Sequence, residues 1–330
     1  MASLREVKDR IGSVRSTLKI TSAMKLVASA KLRKAQKAIE GMRPYERTLA
    51  EILAALPASG APSRAAGNYF SDKFAEKPIS APPSTTPTHG TAAVGTDPAA
   101  AELSPSGNTA AVATGPTAVV AIASNSSLCG AFNANIVRKA LEVIRGCEGE
   151  VEVYPVGRKM VEALRRAGYT APADYNDLIG HPAYEKSVAL ARDLAERHLA
   201  GELSRVVLVY NRFASASTQV PTVEQYLPFT GIPGQDGKEE ILRQAQDDKY
   251  ILEPDAETLV SQLLPQVMML KFHAALLDSA AAEHAARTLA MQTATDNAED
   301  LLGELTLEYN KGRQQKITSE ILDLLGGASE

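Results

Sequence analysis

Residues Leu4–Leu56 read LREVKDRIGSVRSTLKITSAMKLVASAKLRKAQKAIEGMRPYERTLAEILAAL and fit one heptad frame. Thirteen of the 16 seam positions are apolar, which is typical of a coiled-coil helix. Such a helix is about 80 Å long at the usual rise per residue. We expect Pro44 to kink this helix and Pro57 to end it, because proline lacks the backbone N–H. The seam positions are Leu4, Val7, Ile11, Val14, Leu18, Thr21, Lys25, Ala28, Leu32, Ala35, Ile39, Met42, Glu46, Leu49, Leu53 and Leu56.

A second heptad frame runs through the C-terminal region. From Leu263 to Tyr309, 11 of 14 seam positions are apolar, and the stripe then shifts by one residue to Ile317, Ile321 and Leu324. The frame predicts a helix over Glu257–Leu325, about 100 Å long, which the glycine pair after it ends. Alanine is abundant in residues 274–294 and allows a partner helix to approach closely.

The two helices are predicted to pair with each other, because a narrow apolar stripe is not stable alone in water. The chain leaves one helix, folds a middle region and returns along the other, so the pairing is predicted to be antiparallel. The formal net charge of −4 is the sum of unequal regions, since residues 1–56 hold an excess of base and residues 257–330 an excess of acid. We expect these opposite charges to attract the two helices at moderate salt.

Both seams contain polar residues, which have two interpretations. They are either positions that set the register of the coil or contacts with a third body. His284 alone is interpreted as a seam residue and not a metal ligand, because no second ligand lies at metal spacing around it. The polar seam residues are Thr21, Lys25, His284, Thr288 and Thr295.

The middle of the chain alternates strand and helix patterns, which predicts a small doubly wound sheet. Apolar runs predict strands at Thr117–Ser124, Val151–Val156 and Arg205–Tyr210, with further strands at Gln219–Phe229 and Tyr250–Leu252. Helices are predicted over residues 131–145, 157–167 and 182–200. The fold class is therefore α/β, with a long antiparallel two-helix coiled coil and a small Rossmann-like domain.

The domain boundaries follow from composition. Of the 60 residues 57–116, 43 are Ala, Pro, Gly, Ser or Thr, which predicts a low-complexity linker or insert. We assign residues 1–56 to the N-terminal coiled-coil helix, residues 117–256 to the α/β domain and residues 257–330 to the C-terminal coiled-coil helix.

Motifs for catalysis are missing from the sequence. No GxxxxGK[ST] phosphate loop, GxGxxG or GxSxG is present. Cys129 lies between a predicted strand and helix, where a thiol can become reactive, but a buried thiol in a tight turn is the favoured interpretation. We therefore expect no catalytic residue, cofactor or metal in this chain.

Several cellular settings are disfavoured by the sequence. The near-neutral charge argues against a nucleic-acid partner, and no run of 18 apolar residues predicts a spanning helix. The charged N-terminus lacks a secretory h-region, and two cysteines are too few for a disulfide framework, so we expect a reducing cytosol.

Three long segments resemble one known family. Residues 10–31 (RIGSVRSTLKITSAMKLVASAK), residues 124–133 (SNSSLCGAFN) and residues 283–302 (EHAARTLAMQTATDNAEDLL), the last followed by YNKGRQQKITSEI, closely resemble the γ subunit of F-type ATP synthase. The resemblance covers both long helices and the middle region, in the same order. Nearly all of the chain outside residues 57–116 takes part.

The resemblance implies a central rotor shaft without catalytic residues of its own. In the family, the coiled coil turns inside a hexamer of α and β subunits, and the α/β domain stands with the ε subunit on the ring of c subunits. The implied setting is one copy per complex, peripheral on the cytoplasmic face of the bacterial inner membrane, with indirect membrane association. Proton flow through the ring then drives ATP synthesis, or hydrolysis in the reverse direction, and the shaft influences regulation of the ATPase.

Residue by residue, the resemblance places contacts with the catalytic subunits on both helices. The implied contact residues are Met24, Lys25, Arg287, Arg313, Gln314, Thr318 and Glu320. The eight basic residues between Arg10 and Lys37, with no acidic residue among them, have two interpretations. They are either a solvated face that pairs with the acidic C-terminal helix, or contacts for acidic segments of the β subunits.

The sequence departs from the family pattern in two places. Asn125, Ser126 and Ser127 replace the acidic-basic-glycine run that is common before the Leu-Cys-Gly, and the insert at 57–116 is longer than the usual connection. Neither cysteine lies in the insert, so a redox switch of the chloroplast kind is rejected, and we expect the insert to be mostly passive. The alternatives to a shaft are a free-standing coiled-coil scaffold, which would be a homodimer, and a nucleotide-binding α/β enzyme.

Overall fold

The computed structural model describes residues 4–55, 115–180, 182–228 and 256–327. Helix α1 spans Leu4–Ala55 and continues through Pro44, and helix α6 spans Ala256–Gly327 and continues through Pro265. The prediction of two long terminal helices is confirmed. The predicted end of α1 at Pro57 and residues 57–114 of the insert lie outside the described residues.

The two long helices pair antiparallel, as predicted. Side chains join Lys25 to Gln292 and Arg43 to Asp278, so residue numbers rise along one helix while they fall along the other. Every seam position of α1 whose burial is described is buried or half-buried. Leu32 and Ile39 pack with Leu277, and with Ala281 and Ala285, in one apolar cluster. The heptad pattern therefore identified the packed face correctly.

The polar seam positions Thr21 and Thr295 face each other. Both residues are buried, and the Thr295 hydroxyl donates to Thr21 Oγ1 at 3.0 Å. One turn away, Lys25 Nζ donates to Gln292 Oε1 at 2.5 Å. Within this chain these three positions therefore act as register-setting contacts between the helices.

The last turns of α6 differ from the prediction. A Cβ on Gly312 would meet Leu4 Cδ2 at 3.4 Å, so the beginning of α1 lies beside Gly312. The shifted stripe beyond that point has no described α1 residue opposite it, and Ile317 and Ile321 are 48% and 51% exposed.

Charge does not hold the two helices together in the expected way. Arg43 and Asp278 form an ion pair at 3.6 Å. Among the described residues, none of the eight basic side chains from Arg10 to Lys37 forms an ion pair with a carboxylate. The basic stretch therefore makes no close ion pair with the acidic helix, although Lys31 is near enough to Glu283 on α6 to oppose the rise of its pKa. The apolar seam joins the helices, and all of these basic side chains except Lys25 are exposed.

The middle of the chain contains a sheet of four described strands. They are Thr117–Ile122 (β1), Val151–Val156 (β2), Arg205–Phe213 (β3) and Gln219–Leu227 (β4). Their order in the sheet is β2-β1-β3-β4, in which β1 is parallel to both β2 and β3, and β4 is antiparallel to β3. The predicted strands at these positions are confirmed, whereas Tyr250–Leu252 lies outside the described residues.

Helices cover both faces of the sheet. The helices between α1 and α6 are Phe132–Gly146 (α2), Arg158–Arg166 (α3), the short Asp177–Gly180 (α4) and Tyr184–Leu199 (α5). On one face, α2 and α3 pack on Val119, Ala121 and Val209, and on the other face α5 and the first part of α6 pack on Val120 and Leu208.

Helix α6 is shared between the coil and the sheet. Phe272 and Leu276 are fully buried in the larger core of the sheet, and the ring centroids of Phe272 and Tyr226 are 5.6 Å apart. Leu277 and Ala281, on the neighbouring face of the same helix, pack against α1. The coil and the α/β unit are consequently parts of one packed structure.

Candidate functional site

The carboxyl ends of β1 and β3 are where a doubly wound sheet would bind a ligand. The chain leaves β1 through a tight turn, in which Leu128 and Gly130 adopt left-handed φ values of 65° and 57°. Ser124 N donates to Asn133 Oδ1 at 3.1 Å, which ties the end of the strand to the start of α2. The turn is thus held by its own side chains.

The crevice beside this turn is filled by the C-terminal helix. Cys129, Phe132, Ala282 and Ala286 form one buried cluster, against which Phe213 at the end of β3 packs. The alanines permit this close approach because they carry one methyl group each. A nucleotide at the switch point would have to displace these side chains, which argues against the enzyme interpretation.

Cys129 is a packed thiol in the structure, as interpreted from sequence. It is 1% exposed, and Asn133 Nδ2 donates to its Sγ at 3.1 Å. Cys147 is half-buried beside the α2–α3 core, and both cysteines are free thiols. The Cys129 thiol therefore accepts a hydrogen bond within the turn and packs against α6.

Arg287 connects the coil to the turn. Its Nη1 donates to Glu283 Oε1 at 2.7 Å, and its Nη2 donates to Ser126 Oγ at 2.8 Å and to Ser127 O at 3.4 Å. Glu283 is buried, and this burial raises the pKa of its carboxyl group, an effect that the nearby Arg287 opposes. The guanidinium therefore compensates a buried carboxylate and binds the turn at the same time. Sequence reasoning treated Arg287 as an outward contact and missed these internal partners.

Met24 and Lys25 lie in the middle of the coil and are half-buried. Lys25 donates a hydrogen bond to Gln292 across the seam, as described above. Lys25 therefore combines a seam contact with an ammonium group that is only partly covered. Met24 lies beside it on α1, one residue nearer the N-terminus.

The other four predicted contact residues lie at the far end of α6, beyond Gly312. Their side chains are exposed, and the Thr318 hydroxyl donates back to Gln314 O at 2.9 Å. Glu320 pairs loosely with Lys316 at 3.8 Å. Arg313 lies about 40 Å from Arg287 along the helix axis. The structure thus divides the predicted residues into a middle group (Met24, Lys25 and Arg287) and a tip group (Arg313, Gln314, Thr318 and Glu320).

The described residues offer neither a metal site nor a membrane-spanning helix. Across residues 4–55, 115–180, 182–228 and 256–327, no three His, Cys, Asp or Glu side chains are placed to hold a metal ion. The helices in these same ranges include none that is long and apolar enough to span a membrane.

These observations define the fold as a long antiparallel two-helix coil whose C-terminal helix fills the ligand crevice of its own α/β unit. A family model described as ATP synthase matches residues 3–329. The ATP synthase gamma chain of Phocaeicola vulgatus is 43% identical over 334 residues, with 99% of each chain covered. That of Bacteroides thetaiotaomicron is 41% identical over 339 residues, with 100% of each chain covered.

Solved structures share the fold. A chain of the Euglena gracilis mitochondrial ATP synthase (OSCP/F1/c-ring) matches with a TM-score of 0.60 at 19% identity, covering 99% of this chain and 93% of the other. A chain of the rotor of the same organism's enzyme matches with a TM-score of 0.55 at 18% identity, covering 95% and 98%.

The chain belongs to the ATP synthase gamma chain family. As an ATP synthase gamma chain, it is a subunit of that complex. The resemblance stated from the sequence is confirmed.

Proposed function

We propose that this chain turns as one copy inside a hexamer of α and β subunits and transmits ion-driven rotation to their catalytic sites. Its α/β unit stands with the ε subunit on the c ring, at the cytoplasmic face of a bacterial inner membrane. The observation that carries this proposal is a coil that reaches far beyond the sheet while its own ligand crevice is filled by protein. Such a chain is suited to mechanical work and not to chemistry.

The basic stretch of α1 supports contact with acidic partners. Its side chains from Arg10 to Lys37 make no ion pair with a described carboxylate, and all of them except Lys25 are exposed. Electrostatic contacts are graded and reversible, which suits a surface that must slide past its neighbours. We therefore favour acidic segments of the β subunits over internal pairing as the partners of this face.

The seven candidate residues are proposed to contact the catalytic subunits at two positions along the axis of the coil, one for the middle group and one for the tip group. The tip group is exposed on the single-helix end of α6 and can meet a neighbour directly. In the middle group, Met24 and Lys25 lie at the coil surface, while Arg287 has internal partners and can reach a neighbour only from its exposed edge. An Arg can also form bidentate bonds to a carboxylate during part of a cycle.

We further propose the division into residues 1–56, 57–116, 117–256 and 257–330, with the insert 57–116 mostly passive. Deleting residues 60–112 from the assembled complex tests this point. We expect the ATPase rate and its inhibition to stay close to those of the full chain. A large change in inhibition would show that the insert brakes rotation.

Met24→Lys tests the contact at the middle of the coil. An added ammonium beside Lys25 creates a new contact with acidic neighbours, so we expect ATP-driven proton pumping to fall relative to the ATPase rate. The assay uses the assembled complex in vesicles. Ala23→Lys is the matched control, because Ala23 is exposed one position away and points to a different side of α1. An unchanged pumping-to-ATPase ratio in Met24→Lys would contradict the proposal.

A further inference from the structure

Six polar side chains from four elements meet where the coil crosses the sheet, and we name this group the junction network. Helix α6 and helix α1 each contribute two of them, and β3 and β4 contribute one each. All six lie away from the turn that Arg287 binds. The junction network consists of Arg43, Glu46, Tyr210, Glu224, Lys271 and Asp278.

Glu224 is the centre of the network on the side of the sheet. Lys271 Nζ lies 2.8 Å from Glu224 Oε1, and the Tyr210 hydroxyl donates to Glu224 Oε2 at 3.1 Å. The Lys271 and Glu224 side chains are only 13% and 17% exposed. One carboxylate therefore connects β3, β4 and α6 inside a largely enclosed space.

Helix α1 enters the network through Arg43 and Glu46. Arg43 Nη2 lies 3.6 Å from Asp278 Oδ1, which is an ion pair but too long for a hydrogen bond. Burial raises the pKa of the Glu46 carboxyl, and the nearby Asp278 raises it further, while Lys271 and Arg43 oppose the shift. The carboxylates of α1, β4 and α6 are thus close enough to influence one another.

Buried ion pairs are seldom the most stabilising arrangement for a fold. Replacement by apolar residues of similar volume is often neutral or stabilising, because both charges lose their hydration on burial. The apolar core beside the network, with Met268, Phe272 and Leu276, already supplies adhesion between α6 and the sheet. The ionic groups therefore call for an explanation other than stability.

Directional bonding supplies that explanation. Apolar packing resists separation of two surfaces but depends little on their alignment, whereas a hydrogen bond weakens steeply when its angle changes. We propose that the junction network is the torque-bearing joint of this subunit, which keeps the α/β unit from turning relative to the coil. Its six members are positioning residues, and this inference rests on the rotor function proposed above.

The test removes both charges of the central pair together. Glu224→Gln with Lys271→Met removes both charges of the pair and keeps an acceptor for the Tyr210 hydroxyl. We expect the variant to assemble with a normal ATPase rate and an unfolding midpoint that is not lowered. We expect ATP-driven proton pumping per ATP hydrolysed to fall about twofold or more. A twofold fall lies at the lower end of the effects that mutations in a coupling network have on coupling.

The chain offers a matched control of the same chemistry. Arg197 Nη2 lies 2.9 Å from Glu152 Oε2, with side chains 28% and 26% exposed, and this pair joins β2 to α5 without touching the coil. Glu152→Gln with Arg197→Met is expected to leave pumping per ATP unchanged. An equal loss in both variants would contradict the proposal, because it would reflect general loosening of the α/β unit.

The outcomes separate this inference from the rotor function. A wild-type complex that hydrolyses ATP without pumping would contradict the rotor function itself. Equal pumping by wild type and by the Glu224→Gln/Lys271→Met variant would contradict the joint alone. If that variant does not assemble, Tyr210→Phe decides instead, since it removes one hydroxyl; a partial loss of pumping is expected, and unchanged pumping overturns the proposal.

Discussion

The two halves of helix α6 have the same secondary structure and opposite surroundings. Up to about Ala290 the helix lies between α1 and the sheet, and Phe272, Leu276, Ala281 and Ala282 are each 0% exposed. Toward its C-terminus, apolar side chains face solvent, and Leu307 is 73% exposed. The difference shows that the first half is enclosed on two sides, whereas the second half packs on α1 along one face and leaves other apolar side chains exposed.

Residue size follows this division. Where two neighbours approach from opposite sides, α6 uses alanine, because larger side chains would push either α1 or the turn after β1 away. Where only α1 remains, the seam uses larger residues such as Met291 and Leu305. The alanine-rich stretch was interpreted from sequence as room for a partner helix, and it proves to make room for the sheet as well.

The largest expected effect contrasts the two halves directly. Phe272→Ala removes a fully buried ring from the sheet core and is expected to cost about 4 kcal/mol of unfolding free energy. Ile317→Ala, on the exposed half, is expected to cost less than about 0.5 kcal/mol. Urea unfolding of the full chain, followed by circular dichroism, measures both. Similar losses would show that the exposed half is packed in the isolated subunit.

The second prediction concerns the link at the boundary of the two halves. Arg287→Met leaves the buried Glu283 carboxylate without its partner and is expected to cost about 3 kcal/mol. Arg287→Met with Glu283→Gln should recover most of that loss, because no buried charge remains. Urea unfolding of the single and double variants checks this. Failure of the double variant to recover stability would mean that the Ser126 and Ser127 contacts dominate.

The third prediction concerns the close packing of the buried half, where α6 uses alanine. Ala281→Leu inserts a larger side chain between α1 and the sheet and is expected to cost about 2 kcal/mol through overpacking. Ala38→Leu is the matched control, since Ala38 is exposed on α1 and leucine is also a good helix former. Thermal unfolding compares the two variants. Equal midpoints would indicate unoccupied space around Ala281.

The smallest expected effect is a dependence on pH. Burial lowers the pKa of His273 below its ordinary value of 6.5, and its Nδ1 lies 2.8 Å from Ser187 Oγ. The unfolded chain therefore takes up this proton before the folded chain does, so stability is lost as the pH falls below 6.5 toward the lower folded value. The loss is at most about 1.4 kcal/mol per pH unit for one proton.

His273→Phe isolates this contribution. The difference in unfolding midpoint between wild type and variant is measured at about pH 7.5 and about pH 5.5, on either side of the ordinary histidine pKa. We expect wild type to lose more stability than the variant between these two values. A constant difference would mean that the imidazole takes up its proton equally in both states.

Much of the fold was predictable because it depends on periodicity. The seam of α1 and four strands were identified from the spacing of apolar residues, which reflects the geometry of a helix or a strand whatever its neighbours. The contacts of Arg287 were not predictable in the same way. Ser126 lies 161 positions away along the chain, and no spacing rule joins a serine in a turn to a guanidinium on a distant helix.

The opposite net charges of the two long helices show the same limit of prediction from sequence. Counting residues identified a basic helix and an acidic helix, but the face on which each charge lies depends on which side of the helix the seam uses. The pairing of Lys25 with the amide of Gln292, and not with a carboxylate, became evident only once the register was known.

By itself, the sequence determined the two long helices, the alternating strands and helices between them, and the family to which the chain belongs. Local periodicity and motif order carry that information. Tertiary structure alone decided that α6 fills the crevice of the sheet, that Arg287 binds the turn and that the end of α6 extends beyond the described part of α1. These features depend on contacts between residues far apart in the chain, and such contacts exist only after the helices and the sheet have packed.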